Sequence, residues 1–186
     1  LKAPSKDLER VKGVLKLGFA SDALIRWIYP DAASYLKCFD TWMEEFSKIA
    51  FENNIVYSEE NFYGSSLWHP PGVEFDDSVL LSTFEFVPSD RIEVVTRFFE
   101  EFKKYHPKDT WYLAFIAVDP AQQRKGIGSF LLKAALQMID ANGDRAYLEA
   151  SNEQNKALYE RHGFVEIGRV QFEDSPPAFP MIREAR

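Results

Sequence analysis

The feature that most constrains the fold is the almost unbroken apolar run Trp111–Val118, followed within a few residues by Gly126-Ile127-Gly128 and then by an apolar stripe at helical spacing. A strand apolar on both sides is expected at the centre of a sheet, covered on both faces. The stripe is Ile127, Phe130, Leu131, Ala134, Ala135, Met138 and Ile139, which predicts an amphipathic helix over Gly126–Asn142, stopped by Gly143. A strand over Arg145–Ala150, a short helix over Asn152–His162 and a strand over Phe164–Phe172 are expected next. Strands and helices alternate through this half, so the fold class is mixed α/β.

The first half is built differently. Helices are predicted over Ser5–Phe19, with Leu8, Val11, Leu15 and Phe19 in phase, over Asp31–Phe51, and over Arg91–Tyr105. Ile55–Ser58 and Tyr63–His69 read as a hairpin turning at Glu59-Glu60-Asn61, which His69-Pro70-Pro71-Gly72 then stops because proline removes a ladder donor. No repeat and no linker divides the chain, so one domain over residues 1–186 is expected. With 46% hydrophobic residues the chain can fill one core.

No apolar run approaches the roughly 20 residues of a bilayer-spanning helix, and the polar start lacks a secretory signal, so no membrane and a cytoplasmic location are expected. The lone Cys38 fits a reducing compartment and reads as a buried helical residue. A net charge of −7 argues against nucleic acid as a partner, while leaving the protein able to attract a cationic amine. The chain is expected as a monomer or homodimer.

Gln123-Arg124-Lys125-Gly126-Ile127-Gly128 lies where the buried strand hands over to the helix. Free backbone N–H groups at a helix start make an anion site, and glycines let the main chain approach a phosphate closely. Alone, the pattern is equally an ordinary strand-to-helix turn. A dinucleotide fingerprint fails because Leu131 stands where a third glycine is needed, and no Gly-Lys-Ser or Gly-Lys-Thr occurs for a triphosphate loop.

The strand Leu113–Val118 with Asp119-Pro120 and Gln123-x-x-Gly126-x-Gly128 resembles the signature of the GNAT superfamily of acyl-CoA N-acyltransferases. Tyr147–Ala150, Ser151-Asn152-x-x-Asn155 and Leu158–Phe164 resemble that superfamily's later motif in order and spacing. Trp68-x-Pro70-Pro71-Gly72 is similar to the branch that holds puromycin acetyltransferase-like and fungal small-molecule enzymes. The resemblance implies a mostly antiparallel central sheet with a splayed central strand pair and helices on both faces. It also implies acetyl-CoA as co-substrate, without a metal, and an amine acceptor.

Residue by residue, the resemblance assigns the pantetheine arm to the main chain of Ile116, Ala117 and Val118, and the pyrophosphate to Arg124, Lys125, Gly126, Ile127, Gly128 and Ser129, with Gln123 bracing the loop. Asn155 and Tyr159 are four apart and share a helix face. In similar enzymes the first touches the cofactor and the second protonates the leaving thiolate. Asn152 joins the cofactor set, with helix capping as the alternative. For the base, Glu149 leads, with a surface ion pair as its alternative. His69 is a weaker candidate, and Glu74, Asp76 and Asp77 could bind a cationic acceptor or form a solvated loop. A backbone N–H near Val118 could stabilise the acyl oxygen. The three histidines show no nucleophile partner in sequence, so direct attack by the amine is expected. A protein acetyltransferase and a silent acyl-CoA sensor stand as the other readings.

Overall fold

The computed structural model describes residues 1–73 and 77–186. Helices α1 (Leu8–Phe19), α2 (Ala23–Ile28) and α3 (Ala32–Glu52) precede the hairpin of β1 (Val56–Ser58) and β2 (Gly64–His69); α4 (Asp77–Ser82) and α5 (Ile92–Tyr105) follow it. Then come β3 (Thr110–Val118), α6 (Ile127–Ala141), β4 (Arg145–Ala150), α7 (Glu153–Glu160), β5 (Val165–Glu166) and β6 (Phe179–Arg183). The strands form one sheet in the order β1-β2-β3-β4-β6-β5, antiparallel except where β3 meets β4.

The hairpin closes where expected. Glu59 accepts from the Asn61 and Tyr63 amides, and Ser58 and Ser65 share a hydroxyl bond of 2.6 Å across the strands. Helices cover both faces. Phe115 of β3 meets Phe19, Phe39 and Phe46 of α1 and α3, with ring centroids 5.1 to 5.9 Å apart, whereas Val118, three residues on, lies beside Gly128 of α6. The start of α6 comes so close to β2 that a Cβ at Gly64 would stand 2.7 Å from Ile127 Cγ2, so glycine is needed there.

Two departures from the sequence reading matter. The strand expected over Phe164–Phe172 pairs only at Val165 and Glu166, and Val170 makes an isolated bridge to Ala178. The next facing pair would be Ile167 and Pro180. The Ile167 N–H reaches the Pro180 carbonyl at 2.9 Å, but proline has no N–H to return, and the ladder ends. The second departure is a bulge in β3. Leu67 faces Phe115 while Trp68 faces Leu113, so Ala114 is an extra residue and the side-chain alternation changes phase across it. Thr110 and Tyr112 are thereby turned to the face that carries Phe115.

Candidate active site

Strands β3 and β4 pair only over Thr110–Tyr112 and Arg145–Tyr147. Beyond those residues β3 continues beside β2, and β4 beside β6, so the two central strands splay. The main chain of Ile116, Ala117 and Val118 therefore borders the opening on its unpaired side. That edge offers unused backbone donors and acceptors, as an added pseudo-strand requires.

At the far end of β3 the chain turns into α6 through two left-handed residues, Arg124 at φ 64° and Gly126 at φ 84°. The Asp119 side chain holds the turn by accepting from Ala121 N–H at 2.8 Å, and Gln123 Nε2 lies 3.4 Å from the Val118 carbonyl. The first intrahelical bond runs from Phe130 N–H to Gly126 O, leaving the amides of Ile127, Gly128 and Ser129 free at the positive end of the helix dipole. No atom lies within 4 Å of a Cβ built on Gly126, and Arg124 and Lys125 are exposed beside it. Ser129 is also held from behind, its Oγ 2.8 Å from His162 Nε2. The cradle fits a phosphate group.

On α7, Asn152 is committed as the N-cap, its Oδ1 accepting from Asn155 N–H at 2.8 Å. Asn155 Nδ2 is 3.5 Å from Ser151 Oγ. Tyr159, only 6% exposed, stacks edge-on against Phe164, and among the described residues its hydroxyl has no hydrogen-bond partner. Burial raises its pKa, with the Asp22 carboxylate a lesser cause, so the phenol stays protonated.

Between the sheet and helices α2, α3 and α5 lies a cavity of about 570 Å³. Thr110, Tyr112, Ala114 and Phe115 floor it, and Glu149 and Ser151 border it from β4 and its end. The Glu149 side chain is 17% exposed, and its Oε1 stands 3.8 Å from His106 Nδ1. The His106 ring lies 4.6 Å from Tyr112 and 4.9 Å from Tyr147. Burial first, and the nearby Glu149 carboxylate second, raise the pKa of both phenols, although the Tyr147 hydroxyl meets no partner at hydrogen-bonding geometry. Asp22 also lines the cavity, with both oxygens engaged: Oδ1 caps α2 and Oδ2 accepts from Ser151 at 2.6 Å.

Of the sequence candidates, Glu149 reaches the cavity, Tyr159 lies near its Asp22 side, and the glycine loop sits at the end of the splay. His69 is poorly suited as a base. Burial pushes its pKa down to about 4, and its Nε2 pairs with the Phe46 carbonyl at 3.1 Å. Glu74 and Asp76 lie outside the described residues, as does the side chain of Asp77 at the start of α4. His106, Tyr112, Asp22 and Ser151 were missed, because three chain segments meet there and only Ser151 lay inside a recognisable motif. Cys38 is buried, its thiol pushed up to about 12 by burial. Among the described residues, no helix is long and apolar enough to cross a membrane, and no acidic, His and Cys cluster could hold a metal.

A family model for the Acetyltransferase (GNAT) family matches residues 37–164. An uncharacterised N-acetyltransferase of Schizosaccharomyces pombe is 29% identical over 193 residues, covering 89% of this chain and 78% of that protein. A Corynebacterium glutamicum structure, described as histone acetyltransferase HPA2 and related acetyltransferase, superposes with a TM-score of 0.69 at 26% identity, covering 100% of this chain and 95% of its own. A mosquito arylalkylamine N-acetyltransferase like 5b shares the fold, with a TM-score of 0.61 at 14% identity, covering 98% and 97%.

Proposed function

We infer, from the premise that the chain belongs to the acetyltransferase (GNAT) family and is an acyltransferase using acetyl-CoA, that it acetylates the amine of a small molecule by direct attack. The observation that carries this reading is the splay of β3 from β4 beside a cavity of about 570 Å³ that holds Glu149. That volume is in the range of small-molecule sites.

In this reading the amides of Arg124 to Ser129 hold the pyrophosphate, and the open edge of Ile116, Ala117 and Val118 takes the pantetheine. Glu149 accepts a proton from the ammonium, and the neutral nitrogen attacks the thioester carbonyl. A free β3 amide near Val118 stabilises the oxyanion. As the C–N bond is kept and the C–S bond breaks, the nitrogen loses its second proton to solvent and the sulfur takes one from Tyr159. No acyl-enzyme forms, so both substrates must be bound together.

Thiol release from acetyl-CoA with an amine present tests the reading. Initial-rate lines are expected to intersect, and Glu149→Gln should lower kcat/KM at neutral pH by about 10²- to 10⁴-fold, the usual worth of a positioned base. Parallel lines with a trapped acyl-enzyme would sink direct attack, and an unchanged Gln variant would remove Glu149 from the base role. The name of the Corynebacterium relative supports a second reading, a protein acceptor. Faster turnover of free-N-terminus peptides than of any small amine would favour it.

A further inference from the structure

We propose that the acceptor is a primary amine carried on a bulky apolar body, with its ammonium taken by Glu149 and the body lying along the helical wall of the cavity. This rests on the small-molecule acetyltransferase reading and narrows its substrate class.

The two ends of the cavity differ in chemistry. Away from the sheet its wall is hydrocarbon: Ile25 and Ile28 of α2, Trp42 and Phe46 of α3, and Phe99 and Phe102 of α5. A polar substrate body would lose its hydration there without compensating hydrogen bonds. At the sheet, Glu149 meets one ionic partner among the described residues, His106 Nδ1 at 3.8 Å, with the Tyr112 and Tyr147 phenols nearby, and a carboxylate's four acceptor sites leave room for an ammonium. Asp22, which also lines the cavity, already accepts from the Leu24 and Ile25 amides and from Ser151, so both its oxygens are occupied in holding the fold. Lys103 and Lys108 line the cavity too, each already engaged with a partner of its own. Among the described residues, the carboxylate of Glu149 at one end and an aromatic-aliphatic wall at the other fit a molecule with a cationic head and an apolar tail. The phenols of Tyr112 and Tyr147 stand close to the carboxylate, with the His106 ring 4.6 Å and 4.9 Å from theirs, so the head group meets aromatic neighbours as well as the charge.

The bulge at Ala114 makes this pairing of chemistries possible. Without the phase change Tyr112 would turn to the α6 face, and the carboxylate would lose its aromatic neighbour.

A series of straight-chain primary amines from propylamine to heptylamine tests the proposal, because the nitrogen's basicity is nearly constant along it while the apolar body grows. With acetyl-CoA saturating, kcat/KM is expected to rise roughly fourfold per added methylene until the cavity is filled, which is the partition worth of about 0.8 kcal/mol for each buried CH₂. Ile25→Asp, on a wall residue that is only partly buried, should flatten that rise while leaving acetyl-CoA binding, followed by thermal shift, intact. Should Ile25→Asp fail to fold, Ile25→Ser gives the same readout with a smaller effect. A flat series, or spermidine turning over faster than heptylamine, overturns the apolar-body proposal and leaves acetyl transfer to amines standing. No thiol release with any amine or peptide, while acetyl-CoA still shifts the melting temperature, overturns both.

Discussion

Tyr159 combines a buried ring with a hydroxyl that no described side chain or backbone group satisfies. Unlike the Tyr57 and Tyr147 hydroxyls, which are buried without a partner, that oxygen is not closed off and stays open to a ligand atom. Tyr159→Phe should therefore leave the melting temperature nearly unchanged, since the ring is retained and no protein hydrogen bond is lost. A thiolate is already a fair leaving group, so the expected fall in kcat is near the low end of acid catalysis, about 10²-fold, with acetyl-CoA affinity nearly unchanged. Equal single-turnover rates in the two proteins would make Tyr159 a packing residue. His69 offers a test of a different kind. Its pKa falls from 6.5 to about 4 on folding, mainly through burial, so between those values the unfolded chain binds more protons than the folded one. The sign follows: this residue costs nothing above pH 6.5, and stability is lost as pH drops from 6.5 towards 4, by about 3 kcal/mol in all. Unfolding free energies measured from pH 7 to 4.5 should show a shallower acid slope in His69→Gln. An identical slope would mean that the ring protonates without unfolding.

Among the elements, α2 depends most on a single contact. It is only six residues long, too short to persist alone, yet it supplies Leu24, Ile25 and Ile28 to the cavity. Asp22 caps it and is tied to the end of β4 by Ser151 Oγ at 2.6 Å, while Arg91 holds its other end by donating to the Trp27 carbonyl at 2.9 Å. Ser151→Ala removes a hydrogen bond to a charged group, worth about 1.5–3 kcal/mol. A lower melting temperature and a higher acceptor KM are expected, with a smaller change in acetyl-CoA affinity because the glycine loop is not touched. If the acceptor KM stays fixed, α2 is not part of the acceptor wall. Besides α2 and α4, sequence reading missed β6 entirely, and the cause there is physical. Pro180 sits inside it, and a proline in a strand pattern argues for an edge, whereas β6 lies between β4 and β5. It survives there because its missing donor faces β5, where the ladder stops.

At the scale of the whole molecule, the strand, turn and helix around the glycine loop were legible and the cavity was not. The buried strand, the turn and α6 are contiguous, so Gln123 to Ser129 carry their geometry in local order, and the positive φ of Gly126 follows from its place before a helix. The cavity is assembled from α1, α2, α3, α4, α5, β3 and β4, and nothing in sequence order places His106 beside Glu149. The bulge was invisible too, since Trp111–Val118 is apolar at nearly every position and hides its own phase. If the glycine loop is the phosphate site, acetyl-CoA at a hundred times its Kd should stabilise the fold by about 2.7 kcal/mol, through binding to the native state alone. Gly126→Val, which places a β-branched residue at φ 84° and a side chain in the open cradle, should erase that shift in melting temperature. A shift of the parent size in the variant would move the phosphate elsewhere.

The extra residue in β3 also determines how the strand tolerates change. On one side of Ala114, tolerance to polar substitution should follow one parity of position number, and on the other side the opposite parity. Removing a single residue from this stretch would merge the two frames, whereas removing one at the bulge and adding one nearer Thr110 would restore both. The strand is thus two rulers joined out of step, one measured from α6 and the glycine loop, the other from the cavity. If the cavity takes the amine, diversity in amine preference can accumulate on the second without disturbing the first.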